Sequence, residues 1–190
     1  PWVFLMVLRR LLRADPMSDD ALRALVRTIP DFPKPGIQFR DITTVLRDAA
    51  GFALAIDRMQ VALDGHDVTM IAGIEARGFI FGAALARQMR LGFVPIRKKN
   101  KLPGRTIGMN YALEYGQDRI EIHEDAVGPG DRIALVDDLI ATGGTAIAAT
   151  KLLRSAGTQV PIAVFLVDLP DLGGAALLRD EGVMVHLSLI

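Results

Sequence analysis

Residues 133–155 leave few folds open to this chain. Ile133 to Val136 is an unbroken apolar run that halts at Asp137 and Asp138, and Ala146 to Ser155 reads as a helix. The link between them, Ala141-Thr142-Gly143-Gly144-Thr145, is built of small residues. A buried strand, a small-residue loop and a helix N-terminus together make an anion site. The first helical amides lack intrahelical partners, and the helix dipole favours negative charge there. Gly143 and Gly144 let the backbone come close or take positive φ. Thr142 and Thr145 add hydroxyl donors. Asp137 and Asp138 repel a phosphate, so beside a phosphate cradle they suit a neutral or cationic part of the same ligand. Vicinal hydroxyls or a hydrated Mg²⁺ meet that requirement, and a ribose 5-phosphate has that shape. No Gly-Lys-Ser/Thr closes the loop as in a Walker motif, and no Gly-x-Gly-x-x-Gly dinucleotide turn is present.

The same unit occurs earlier in the chain. Val68 to Ala72 reads as a strand, Gly73-Ile74-Glu75-Ala76-Arg77-Gly78 as a loop, and Phe79 to Arg90 as a helix, with Gly92 to Arg97 the next strand. Pro161 to Val167 follows the second unit as another strand. Apolar strands alternating with helices predict an α/β fold: a mostly parallel twisted sheet with helices on both faces. Ligands of such sheets sit beyond the carboxyl ends of the strands, where all these loops fall.

Within the earlier loop, Arg77 offers a guanidinium fork to a diphosphate. Arg97-Lys98-Lys99-Asn100-Lys101 places further positive charge after a strand, and Gly104 to Asn110 reads as a mobile segment able to close as a lid. Tyr111 to Gly116 and Arg119 to His123 alternate as a hairpin turning at Gly116-Gln117-Asp118, with Glu114 and Tyr115 at its tip. Upstream, Asp19 to Ile29 has helical spacing, Asp31 to Gly36 is a turn-rich connector, Asp41 is placed to cap a helix starting at Ile42, and Phe52 to Leu63 is helical. His66, His123 and His186 show no metal-ligand spacing and read as structural or exposed.

With 190 residues, 22 basic and 22 acidic, the chain has the length for one domain and no basic excess for nucleic acid. The absence of cysteine removes disulfides and thiolate chemistry and permits a reducing compartment. Pro1 to Leu8 is apolar and is followed by Arg9, Arg10 and Arg13. This is the reverse of a secretory signal, and the run falls short of the roughly 20 residues a bilayer span needs. We therefore expect residues 1–16 to be a dispensable extension, a start-site artefact ahead of Met17, and 17–190 to form a single domain with no membrane partner.

These strings resemble the type I phosphoribosyltransferase family. The opening motif marks the family at large. Residues 73–82 and 168–174 extend the match, while Pro-Asp-Phe-Pro-Lys-Pro-Gly-Ile-x-Phe-Arg-Asp (30–41), Arg-Lys-x-x-Lys-Leu-Pro-Gly (97–104) and Tyr-x-Leu-Glu-Tyr-Gly (111–116) are the strings that look like its adenine-using branch. The resemblance implies transfer of the 5-phosphoribosyl group from phosphoribosyl diphosphate to adenine, giving AMP and diphosphate in purine salvage. It implies a hood at residues 30–43 in which Gln38, Phe39 and Arg40 read adenine, with Leu169 flanking the purine. Glu75, Ala76, Arg77, Arg97, Lys98 and Lys101 would face the diphosphate. Ala141, Thr142, Gly143, Gly144 and Thr145 would hold the 5-phosphate, and Asp137 and Asp138 the ribose. Glu114 and Tyr115, on a β-hairpin lid, would close over the reacting centre as catalytic residues with Arg77. Mg²⁺ would be bound mainly through substrate, with no dedicated protein ligands, and a cytoplasmic homodimer is expected. One departure is Asn100, where the family usually has Gly. Two alternatives stay open: an enzyme for a 6-oxo purine, and a regulator that uses the fold only to sense sugar diphosphate.

Overall fold

The computed structural model describes residues 17–113 and 116–189. Residues 1–16, Glu114 and Tyr115 lie outside the described residues. The chain packs as two compact units, residues up to Asp57 with Leu189, and Arg58 to Ser188.

In the first unit, α1 (Asp19–Leu25) is capped by Ser18, whose hydroxyl accepts from the Ala21 amide at 3.2 Å. The helix ends at Leu25, not at Ile29 as its spacing predicts. Arg27–Pro30 forms β1 and pairs antiparallel with β2 (Gln38–Asp41). Tertiary pairing outweighs the helical periodicity here, because Thr28 and Ile29 are β-branched and Pro30 cannot continue a helix. Asp41 leads into α2 (Thr43–Arg47) as the sequence predicts, its carboxylate accepting from the Thr43 amide at 2.9 Å. It also holds the Arg27 guanidinium. The Thr43 amide, then Arg27, lower its pKa to about 2. The helix α3 follows at Ala49–Leu63.

The second unit is built on a seven-stranded sheet, in which β3 is Met70–Ile74, β4 Gly92–Lys98, β5 Thr106–Leu113, β6 Gly116–His123, β7 Arg132–Ile140, β8 Gln159–Asp168 and β9 Met184–Leu187. The spatial order is β5-β6-β4-β3-β7-β8-β9. Strands β4, β3, β7, β8 and β9 run parallel, and the β5–β6 hairpin is antiparallel on the β4 edge. The helix α4 (Gly78–Met89) connects β3 to β4, α5 (Gly144–Ser155) connects β7 to β8, and α6 (Gly174–Asp180) precedes β9.

From the β3–β7 centre, one connection steps toward β4 and the other toward β8. Right-handed crossovers then put α4 and α5 on opposite faces. Side-chain alternation agrees. On one face, a Cβ added to Gly82 of α4 would lie 2.8 Å from the Phe93 ring, and Phe79 packs edge-on against Phe93 at 5.8 Å. On the other, Ala72, Val94, Ile133 and Leu135 bury themselves with Ala146, Ala149 and Leu153 of α5. The order of the strands reverses between β3 and β7, so the crevice for a ligand opens beyond their carboxyl ends.

Within the sheet, several boundaries differ from the sequence reading. The first parallel strand begins at Met70 and runs through Gly73 and Ile74, which the sequence pattern places in the loop. The strand β7 does not stop at Asp137 and Asp138 but carries both and continues to Ile140, paired with β8 as far as Asp168. The acidic residues are tolerated because they sit at the ligand edge. Gly116 to Asp118 belong to β6 rather than to a turn, and Thr106 to Asn110 are paired with Arg119 to His123. Alternation across Gly108 carries that ladder despite its polar residues.

Candidate phosphoribosyl site

The carboxyl ends of β3, β4, β7 and β8 share one edge of the sheet. A cleft of about 180 Å³ there is lined by Glu75, Lys98, Asp137 and the run Ala141–Ala146, together with the apolar Ile74, Leu139, Ile140 and Phe165. At its centre the chain leaves β7 and enters α5 through Gly143, whose φ of 81° only glycine adopts readily. No side chain caps α5, which leaves its first amides to a ligand. The loop is backed by α6: the Gly174 amide donates to the Ala141 carbonyl at 3.0 Å, and a Cβ on Gly143 would approach the Gly174 carbonyl to 2.9 Å. Sequence reasoning gave Gly174 no role. Its signal was the Gly173-Gly174 pair before an apolar run.

Asp137 and Asp138 differ in environment. Asp137 lines the cleft, and its carboxylate accepts from the Asp138 amide at 2.9 Å. Burial first, then the adjacent Asp138 charge, push the Asp137 pKa well up. Asp138 is buried and takes the Arg77 Nε–H at 2.5 Å. Gly78, at the start of α4, packs so closely on β7 that a Cβ would lie 2.8 Å from the Asp137 carboxylate and the Val136 carbonyl.

The second loop, Glu75-Ala76-Arg77, contains a cis peptide between Glu75 and Ala76. The Glu75 carboxylate accepts from the Lys98 amide at 2.9 Å and from Arg97 Nε at 3.2 Å. Burial acts to raise its pKa, but these two bonds and the Arg97 charge hold it below the ordinary value. The basic stretch is thereby tied down. Arg97 also donates to the Lys101 carbonyl at 3.0 Å, and the Asn100 amide to Glu121 at 3.1 Å. Asn100 takes φ of 63°, the left-handed conformation its side chain tolerates better than most. The Lys98 ammonium is held by Tyr111 at 2.5 Å and by Asp118.

Of the residues singled out from sequence, Glu75, Ala76, Arg77, Arg97, Lys98, Lys101, Asp137, Asp138 and Ala141 to Thr145 all sit on loops or strand ends at this edge. Leu169 joins them at the end of β8, its amide bonded to the Ile140 carbonyl at 3.0 Å. Gln38, Phe39 and Arg40 lie on β2 in the first unit, where Phe39 packs edge-on against Phe32 at 5.2 Å and Arg40 bonds Thr28. Glu114 and Tyr115 fall outside the described residues. Tyr111 and Asp118, absent from the sequence-derived site, are brought in by the hairpin register, which places them opposite each other.

An uncapped helix N-terminus thus stands beside paired carboxylates at the switch point of a parallel sheet. Residues 38–182 match the phosphoribosyl transferase domain family. The chain is 62% identical over 165 residues to the adenine phosphoribosyltransferase of Rhodopseudomonas palustris (strain BisB18), spanning 87% of this chain and 83% of that one. Its fold superposes on crystal structures of two further proteins of that name. That from Thermoanaerobacter pseudethanolicus has TM-score 0.86, 47% identity and coverage of 90% and 98% of the two chains. That from Saccharomyces cerevisiae, in complex with an imino-altritol bisphosphate and adenine, has TM-score 0.85, 35% identity and the coverage of 90% and 98%. The chain belongs to the adenine phosphoribosyltransferase family.

Proposed function

We propose that this chain transfers the 5-phosphoribosyl group of phosphoribosyl diphosphate to adenine, releasing AMP and diphosphate. The observation that carries this is the open N-terminus of α5 beside the Asp137 carboxylate in one cleft. The amides and hydroxyls of Ala141 to Thr145 bind the 5-phosphate, and Asp137 and Asp138 accept hydrogen bonds from the ribose hydroxyls. Arg77, Arg97, Lys98 and Lys101, with the Glu75–Ala76 backbone, hold the diphosphate and stabilise its charge as it leaves. Gln38, Phe39 and Arg40 read adenine, and Leu169 flanks the ring.

The adenine nitrogen attacks the anomeric carbon as the diphosphate departs, through a transition state with oxocarbenium character. Alignment of the base and neutralisation of the leaving group are therefore the main demands. Glu114 accepts a base proton or polarises the imidazole edge of adenine, and Tyr115 closes over the centre to exclude water. The acidic donors at this edge suit a hydrated Mg²⁺ shared with substrate oxygens, which when bound adds charge neutralisation at the diphosphate and ribose. We read residues 17–190 as one catalytic domain acting as a homodimer in the cytoplasm. Among the described residues no helix is long and apolar enough to cross a membrane.

The test is AMP formation from adenine, phosphoribosyl diphosphate and Mg²⁺, with hypoxanthine and guanine in competition. AMP is expected, with little competition, because a 6-oxo group reverses the donor–acceptor pattern at that edge. A preference for hypoxanthine or guanine would move the assignment to another purine. Replacing Glu114 by Leu should lower kcat by about 10²-fold, the low end of general acid–base contributions. An unchanged kcat would remove Glu114 from the mechanism.

A further inference from the structure

Lys98 stands at the end of β4 and lines the cleft, but its ammonium does not hang free in solvent. Tyr111 of β5 and Asp118 of β6 are cross-strand partners in the hairpin, and both reach it. The ammonium lies 2.5 Å from the Tyr111 hydroxyl and 5.2 Å from the centre of its ring, and it is ion-paired with the Asp118 carboxylate. The clamp is closed on itself, since the Tyr111 hydroxyl donates to the same carboxylate oxygen at 3.1 Å. The other Asp118 oxygen accepts from the Arg119 amide at 2.7 Å, which fixes the carboxylate in turn. Among the described residues the ammonium has these two hydrogen-bond partners, and an ammonium carries three donors.

Tyr111 has a second neighbour. It is 9% exposed, and a methyl group on Gly144 would sit 4.0 Å from its ring. Gly144 is the first residue of α5, within the anion loop. Tyr111 also belongs to the buried cluster that contains Ala146 of α5, so one aromatic side chain joins the ammonium on the β4 end to the packing beneath the start of α5.

We propose that Tyr111 and Asp118 are positioning residues that hold the Lys98 ammonium at a fixed point in the cleft for the diphosphate of the substrate, with Tyr111 registering that point against the 5-phosphate loop. A lysine on a four-carbon stem has many rotamers, and fixing it in advance removes an entropy loss from substrate binding. This inference rests on the reading of Lys98 as a diphosphate ligand.

The experiment is a double-mutant cycle read as KM for phosphoribosyl diphosphate, with kcat, KM for adenine and Tm recorded in parallel. Asp118→Asn and Tyr111→Phe are each expected to raise that KM about five-fold, the effect of losing one partly exposed charged contact. KM for adenine should hold. In a Lys98→Met background both substitutions should become silent, because the group they position is gone. Tyr111→Phe keeps the ring in the buried cluster with Ala146, so it tests the hydroxyl without loosening the packing. If Lys98→Met raises KM while Asp118→Asn and Tyr111→Phe leave it at the wild-type value, the clamp is overturned and Lys98 keeps its role. Full effects of both substitutions persisting in the Lys98→Met background would show a general structural contribution and overturn the clamp as well. A wild-type KM for Lys98→Met itself would remove the diphosphate reading of that lysine first.

Discussion

Asp137 works against the stability of the fold it belongs to. Its pKa is raised by burial and by Asp138, so the folded state holds the proton more tightly than the unfolded chain does. The destabilisation is absent at low pH, where both states are protonated. It grows as pH rises above the unfolded value of about 4. Asp137→Asn should therefore raise Tm at pH 7, with the gap over wild type narrowing toward pH 4, while affinity for the sugar diphosphate falls. A lower Tm for the variant, tracked by calorimetry across that range, would contradict this. Asp41 has the opposite sign. Its pKa of about 2 means its stabilising contribution is complete at neutral pH and is lost as pH drops from the unfolded value toward about 2. At this scale the sequence was most informative where chemistry is local: the acidic pair, the glycines and the threonines declare themselves by type. Tyr111 and Asp118 did not. Seven residues apart and unremarkable in type, they meet only through strand pairing, and pairing register is not written in either residue alone.

Among the elements, the α5 N-terminus was the most legible, because glycine before a helix and apolar residues before the glycine leave little choice. Gly143→Ala tests the element. At φ of 81° and with the Gly174 carbonyl 2.9 Å from the new methyl, the loop must shift. We expect a stability loss of about 1–3 kcal/mol by urea denaturation and a loss of about ten-fold or more in sugar-phosphate affinity, since the amides would no longer converge. Wild-type affinity by calorimetry would mean the loop is not the 5-phosphate cradle. The poorly legible elements were those whose conformation is decided elsewhere. Arg27 to Ile29 continues the helical spacing of the preceding residues yet pairs as a strand, and Asp137 to Ile140 looks like a strand end yet continues because β8 supplies partners to Asp168. The β5–β6 hairpin is legible in the alternation but its turn is not, since Gly116, the obvious turn residue, carries its positive φ inside β6.

For the molecule as a whole, alternation of strands and helices was enough to predict the parallel sheet and the edge on which the site lies. The short helix α6 and the edge strand β9 escaped because neither has the length to show a period. A ligand that binds only the folded sheet should stabilise it by mass action. Phosphoribosyl diphosphate with Mg²⁺ at a hundred times its Kd should add about 2.7 kcal/mol and raise Tm accordingly. An unchanged Tm at saturating ligand would count against the site. The two anion loops leave from β3 and β7, which are hydrogen-bonded neighbours, and Gly78 presses the start of α4 onto β7 without room for a methyl group. Adjacent strands are about 4.8 Å apart, whatever their side chains. The distance between the roots of the two loops is thus set by the sheet rather than by either loop. Substitutions within the loops can change what each one offers a ligand, but not how far apart the two begin.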